Sequence, residues 1–422
     1  MSTKLVIPSL TGLRGVAAML VVFHHYFYWC APFSIVPRPD WIDSVFATGG
    51  FGMTCFFVLS GFVIAYNYLD FGWKQQPLKS TAHFVFLRFS RLYPALLVFI
   101  ALLVMFRWTS PQYANGFGLW TTVHLASAQS WLPFKLNGAL PDANVFHVSW
   151  SISTEFMLYF MFALFMVLLA IMTRFWGVIG ATVLFGLLGV YILWLIDLAA
   201  TEPPFAAFVK VLRAALGLPS PFEPLTEEEW RRWFFYMSPY FRVVDFSLGV
   251  AAALLVMKCR VVLIEYRRVF RLLGTMGVLG LFVWYLLPLT LASNQQPARL
   301  YQYFMPPLFF ALILANCDDE GSLVNRLLSS TPLIFVGEIS YSLYLFHPLS
   351  PRIGIVWPDK AFDVDLLPVL ALNMLATGGC AIVFAFGMYS LVEMPAQRKL
   401  RALWARWFGR RSRAPVLTVA GQ

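Results

Sequence analysis

The sequence predicts an all-α, polytopic integral membrane protein with about ten transmembrane helices and both termini in the cytoplasm. Three observations predict it: the scarcity of charge, the length of the apolar runs, and the sidedness of the basic residues. Of 422 residues, 59% are hydrophobic and only 12% charged, about half the charged share of a soluble domain. A soluble fold of this length would need polar side chains to cover its surface, and this chain lacks them; lipid is the solvent that fits. Many of the 15 Trp and 17 Tyr fall near the ends of apolar runs, where interfacial anchors belong.

A spanning helix needs about 20 largely apolar residues. Ten segments qualify: 9–30, 50–68, 91–108, 146–172, 176–197, 240–257, 272–291, 300–316, 331–348 and 366–392. The apolar stretch 115–134 is interrupted by His124, Gln129 and Pro133 and reads as an amphipathic or re-entrant piece on the outer side. The first segment, from about Ser9 to Ala31, exceeds a signal-peptide core and is not followed by a small-residue cleavage site, so it reads as a retained first helix. With a cytoplasmic N-terminus, 20 of the 31 Lys and Arg face the cytoplasm, which is the expected bias. The outer loop 198–239 instead balances Glu202, Glu223, Glu227, Glu228 and Glu229 against Lys210, Arg213, Arg231 and Arg232.

The same distribution argues against nucleic acid despite a net charge of +10, because the cations mark loops between apolar segments. The five cysteines are scattered and have no disulfide or zinc-ligand spacing. No metal site is expected. Residues 1–400 read as one transmembrane domain and 401–422 as a short basic cytoplasmic tail.

Ionisable groups inside a membrane are costly, so each is a functional candidate. Arg14 and His25 are eleven residues apart in one helix. At about 100° per residue, that spacing returns His25 to within about 20° of the Arg14 face, and it separates the two by about 16 Å along the axis. His24 points elsewhere. The alternative is an arginine snorkelling to headgroups and a satisfied core histidine. Arg88 and Arg91, at i and i+3 on the inner edge of the third segment, share one face and suit phosphate, or else anchor the helix. Glu155, two turns into the stretch from His147, lies too deep for cheap solvation, and Ser and Thr nearby can hydrogen-bond it. His347 ends the segment from Ser340, and Asp245 can pair with Arg242. By depth, His25, Glu155 and His347 map to the outer half and Arg14, Arg88 and Arg91 to the inner half. A polyanionic donor below and an acid/base centre above is the layout of a transmembrane group transfer. The run Gly49-Gly50-Phe51-Gly52 reads as a site of close helix approach, not a nucleotide loop.

Several stretches resemble acyltransferase family 3, integral membrane proteins that O-acylate carbohydrates and related acceptors. Leu10 to Gly15 with His25 matches the family's opening pattern. Gly50 to Tyr66 is similar to its Gly-rich, Phe-rich helix. Arg88 and Arg91 before Tyr93-Pro94, Trp150 to Glu155, Ser340 to His347 and Glu393 to Pro395 follow in order. The chain departs from the common pattern at Phe156, where members often carry a second glutamate, at Phe346 and at Thr11. The resemblance implies an O-acyltransferase with no bound cofactor. It uses acyl-CoA, commonly acetyl-CoA, as co-substrate and a carbohydrate or glycolipid as acceptor, in the lipid bilayer of a bacterial inner membrane. It further implies that His25 is essential, with Glu155 or His347 orienting or recharging it and the arginines holding the phosphates of CoA. The competing class is a transporter of a sugar or lipid-linked intermediate; transfer of label from radiolabelled acyl-CoA to an acceptor separates the two.

The charge asymmetry makes a topological prediction. Reporters fused after Gln76, after Arg271 and at the C-terminus are expected to report cytoplasm, and a fusion within 202–229 that did so would overturn the ten-helix arrangement.

Overall fold

The computed structural model describes residues 7–30, 49–107, 117–136, 138–142, 146–200, 222–286, 297–317, 322–352 and 366–408. Much of the outer loop, with Glu202, Lys210 and Arg213, and the tail from 409 lie outside the described residues, as does the end of the segment expected at 272–291. The described residues are almost wholly helical. The long elements are α1 (Pro8–Cys30), α2 (Gly49–Tyr68), α3 (Pro77–Arg107), the short α4 (Phe117–Leu125) and α5 (Trp150–Ala200). They are followed by α6 (Glu227–Arg232), α7 (Pro239–Lys258), α8 (Arg260–Arg271), α9 (Gly277–Leu286), α10 (Pro297–Asn316) and α11 (Leu323–Leu328). The chain closes with α12 (Thr331–Glu338), α13 (Ser340–Phe346), α14 (Leu366–Met388) and α15 (Met394–Phe408). A two-stranded antiparallel ribbon pairs β1 (Phe134–Leu136) with β2 (Phe222–Pro224). Among the described residues, five helical stretches are long and apolar enough to cross a membrane, and shorter apolar helices pack beside them.

Helix α5 is two rods. Gly177 takes φ 56° and ψ −135°, a left-handed conformation that a residue without Cβ adopts cheaply. The chain reverses there: Phe165 and Phe185 meet edge to face with ring centroids 5.5 Å apart, whereas twenty residues of straight helix would separate them by about 30 Å. This hairpin matches the two segments expected at 146–172 and 176–197.

Two expectations about helix limits need correction. The third segment, expected at 91–108, begins at Pro77, so Arg88 and Arg91 lie in mid-helix rather than at its edge. Hydropathy missed this because the first four turns of α3 carry Lys79, His83 and Arg88. The segment expected as one helix over 331–348 is broken at Ile339 (φ −85°, ψ 2°), and a 3-10 turn (His347–Arg352) continues from α13. A break frees carbonyls from the helical ladder, and Arg14 supplies a donor to one of them, with Nη2 3.0 Å from the Gly337 oxygen.

The stretch 115–134 folds as α4 and then runs irregularly inside the protein. Gln129 donates to the Ser149 carbonyl at 2.8 Å, Ser130 Oγ to Ser153 Oγ at 2.8 Å, and Trp131 Nε1 to the Ser153 carbonyl at 2.9 Å. Non-helical backbone at membrane depth is tolerated only when protein satisfies it in this way. The buried pair Arg242–Asp245 forms as the i, i+3 spacing predicts, at 2.7 Å. Arg242 is further held by Thr54 Oγ1 at 3.2 Å and by the rings of Phe57 and Tyr236.

Close helix contacts rest on glycine. Helices α2 and α7 meet where a Cβ on Gly61 would fall 1.9 Å from the Phe246 carbonyl oxygen, and one on Gly249 would fall 1.9 Å from that of Val58. Backbone cannot yield there, so Gly249→Val is expected to destabilise the protein by at least the ~1–3 kcal/mol typical of overpacking. The check is a drop in thermal midpoint and in monodisperse yield after detergent extraction. Gly280→Ala, where nothing lies within 4 Å of the added Cβ, is the matched control and is expected to be neutral or slightly stabilising.

Candidate active site

One helix supplies both ends of the site. The face of α1 carrying Gly12 and Gly15 seats against α11 and α12: a Cβ on Gly12 would lie 1.7 Å from the Leu328 oxygen, and one on Gly15 would lie 2.6 Å from that of Leu333. This contact brings Arg14 to the break between α12 and α13, where its Nε donates to Ser340 Oγ at 2.9 Å alongside the Gly337 bond. On the other side of α1, Gly52 fits against the Ala17 carbonyl and Gly49 against the His24 ring, as the glycine run of α2 suggested.

Arg14, Arg88 and Arg91 line one cavity, partly open to its surroundings, together with Glu155, Tyr159, Ser60, Ser340 and Tyr344. Apolar side chains of α2, including Met53, Phe56, Phe57, Val63 and Ile64, complete its wall. Arg88 is 5% exposed. One of its terminal nitrogens donates to the Tyr68 hydroxyl at 2.6 Å, its guanidinium covers the Tyr68 ring at 4.8 Å, and its Nε is buried without a hydrogen-bond partner. Its unused donor points to a ligand that brings acceptors.

Glu155 lies with these cations. It accepts from Ser60 Oγ at 3.0 Å and from the Tyr159 hydroxyl, and its charge acts on Arg88 and Arg14. Sequence depth had grouped it with His25 and His347. Eight residues of helix beyond His147 carry it about 12 Å inward, which brings it to the arginine level. The neighbouring serines and threonine, expected to bond Glu155, serve other partners. Ser153 and Thr154 hold the irregular 126–134 stretch, and Ser151 donates to the Tyr344 hydroxyl at 2.8 Å.

The histidines meet at the opposite end of α1. His25 Nδ1 is 3.0 Å from His347 Nε2, with the rings stacked at 5.0 Å. His147 approaches His25 edge-on at 5.7 Å, and His24 does so at 5.2 Å. His347 Nδ1 sits 2.7 Å from the Tyr344 carbonyl. A carbonyl only accepts, so Nδ1 of His347 carries a proton. In the neutral ring its Nε2 is then the lone pair, and His25 donates to it through Nδ1–H. The basic nitrogen of His25 is therefore Nε2. Among the described residues, no group of His, Cys, Asp or Glu has a metal-binding arrangement.

Sequence reasoning brought forward Arg14, His25, Arg88, Arg91, Glu155 and His347 but missed the residues that hold them. Tyr159 was findable, one turn after Glu155 on the same face. Ser340, Tyr344, His147 and Glu393 reach the site only through long-range packing; Glu393 accepts from Ser342 Oγ at 2.7 Å and faces Arg91 and Arg14.

The family profile described as an acyltransferase domain, Acyl_transf_3, matches residues 7–391. Acyltransferase MdmB of Streptomyces mycarofaciens is 27% identical over 418 residues, covering 93% of this chain and 92% of its own. No solved structure matches significantly. With a profile that spans nearly the whole chain and helices built to cross a bilayer, the protein belongs to acyltransferase family 3 and is a membrane O-acyltransferase.

Proposed function

We propose that the protein moves an acyl group, acetyl in the simplest case, from cytoplasmic acyl-CoA to a hydroxyl of an extracytoplasmic carbohydrate or glycolipid acceptor. In this reading it sits in a bacterial inner membrane, crosses it about ten times and keeps both termini in the cytoplasm. Residues 1–400 form the transferase unit, and the basic tail begins within α15. The observation that carries the proposal is that α1 holds Arg14 in a cationic cavity and, about 16 Å along the same rod, a histidine whose Nδ1 lies 3.0 Å from His347 Nε2. The pantetheine arm of CoA separates phosphates from thioester in the same sense.

Arg14, Arg88 and Arg91 bind the donor's phosphates, while Tyr159 and Ser60 hold Glu155 among them. The thioester reaches past Tyr344, whose side chain lines the cavity and whose carbonyl holds His347. As the acceptor oxygen attacks the thioester carbon, its proton passes to His25 Nε2. The C–S bond then breaks, and the leaving thiolate takes that proton back. His347 keeps His25 in the Nδ1–H form and stabilises the imidazolium, the role a carboxylate plays in a Ser-His-Asp triad. Glu155 is assigned to the catalytic set through its position beside the donor.

His25→Ala is expected to lower turnover by about 10²–10⁴-fold, the range of a lost general base, while the protein still folds and inserts. His24→Ala removes the same side chain one residue away and is expected to keep most activity; equal loss in the two variants would remove His25 from its role. His347→Leu is expected to fall nearly as far as His25→Ala. His347→Gln, whose amide oxygen can accept from His25 Nδ1–H, should recover part of the loss.

For the donor side, Arg88→Lys and Arg91→Lys keep the charge and lose the planar fork. Both are expected to raise the KM for acyl-CoA with normal protein levels in the membrane. An unchanged KM in the double Arg→Ala variant would return both residues to an anchoring role.

A further inference from the structure

The C-terminal helix brings a fourth arginine to the cation cluster. Helix α15 packs along α3, with Trp404 stacked on Phe86 at 4.3 Å between ring centroids and lying nearly parallel to His83 at 5.5 Å. Its other end joins the turn that carries Glu393, which faces Arg91 and Arg14. The two helices therefore run antiparallel, Glu393 beside Arg91 and Trp404 beside Phe86. Arg401, one turn before Trp404 and on the same face, falls between these contacts, at the level of Arg88. Its charge acts on Arg88, Arg91 and Tyr68, and its Nε is buried without a hydrogen-bond partner.

Four guanidinium groups, those of Arg14, Arg88, Arg91 and Arg401, thus gather near Glu155 and Glu393, with Glu338 also acting on this region, so that among the described residues the cations outnumber the carboxylates. Cations in excess of their counter-ions are costly at membrane depth. An anionic ligand removes the excess, and guanidinium is suited to phosphate oxygens.

Resting on the reading of the arginine cavity as the donor site, we propose that Arg401 is a phosphate-binding residue of that site, supplied by the C-terminal helix and engaging the donor's phosphates together with Arg88 and Arg91. The same chemistry would also accept an anionic lipid headgroup, so the test excludes that source.

The full chain is reconstituted in nanodiscs of phosphatidylcholine alone, and CoA binding is measured by calorimetry over a range of salt concentrations. Arg401→Gln is expected to raise the Kd for CoA about tenfold, equivalent to about 1.4 kcal/mol, and to flatten its dependence on salt, because one charge contact is gone. Arg401→Lys should fall between Gln and the parent, and thermal midpoints verify that each variant is folded. An unchanged Kd in Arg401→Gln beside a weakened Arg88→Gln overturns the proposal and leaves the donor site standing. A loss of affinity with the salt dependence intact also overturns it, since that is the mark of a structural role. Unchanged affinity in both variants removes the donor site itself, and Arg401 with it. If Arg401→Gln changes CoA affinity only after anionic lipid is added, the residue reads headgroups and the proposal fails.

Discussion

The site depends on how closely α1 can approach the broken helix formed by α12 and α13. Gly12, Gly15 and Gly337 leave no room for a side chain: a Cβ on Gly337 would lie 1.9 Å from the Thr11 carbonyl oxygen. That backbone contact fixes the height and rotation of α1 at once. It sets Arg14 against a freed carbonyl and Ser340, and it carries His25 to a position where His347, on the far end of the same broken element, can accept its proton. In lipid there is little hydrophobic drive to press helices together, so packing of this kind and interhelical hydrogen bonds do the work. A glycine lost from this seam would disturb both ends of the cavity together.

The electrostatics follow from the same arrangement. Cations in a low-dielectric interior need partners, and this chain offers aromatic faces and neutral hydroxyls more often than carboxylates. Arg88 lies over Tyr68, and Arg242 lies between Phe57 and Tyr236 and forms a direct ion pair with Asp245. The distinction is chemical. Arg242, wholly buried, pairs with Asp245 and fastens α7 to α2, although its second terminal nitrogen has no hydrogen-bond partner among the described residues. Arg88 keeps a donor in reserve on the wall of a cavity.

Much of this was legible in the sequence, for physical reasons. Apolar runs located the helices, and 3.6-residue periodicity put Arg14 and His25 on one rod at a useful separation. The i, i+3 rule paired Arg242 with Asp245, and the glycines of α2 read correctly as contact residues. What was not legible depended on tertiary context. Hydropathy began α3 too late because its first turns carry Lys79, His83 and Arg88, which made Arg88 look peripheral. Depth counted from one helix end put Glu155 with the histidines, although its donors, Ser60 and Tyr159, hold it among the arginines. The break at Ile339 has no local breaker residue; an arginine 325 positions earlier compensates it. Nor could a single helix report that a backbone carbonyl of Tyr344 decides which nitrogen of His25 is basic.

That carbonyl has an electrical consequence. Where a hydrolase triad has a buried carboxylate behind its histidine, His347 here meets a peptide carbonyl. An anion beside a histidine is tolerated in a water-soluble cleft, but within a bilayer it would carry a solvation cost of its own. With a peptide oxygen as the final acceptor, polarity is delivered by a dipole that the fold already contains. In the proposed reaction, charge then exists only while the acyl group is moving, as an imidazolium facing the oxyanion that its own proton transfer creates. The pair appears together and vanishes together, so the membrane never has to hold one without the other.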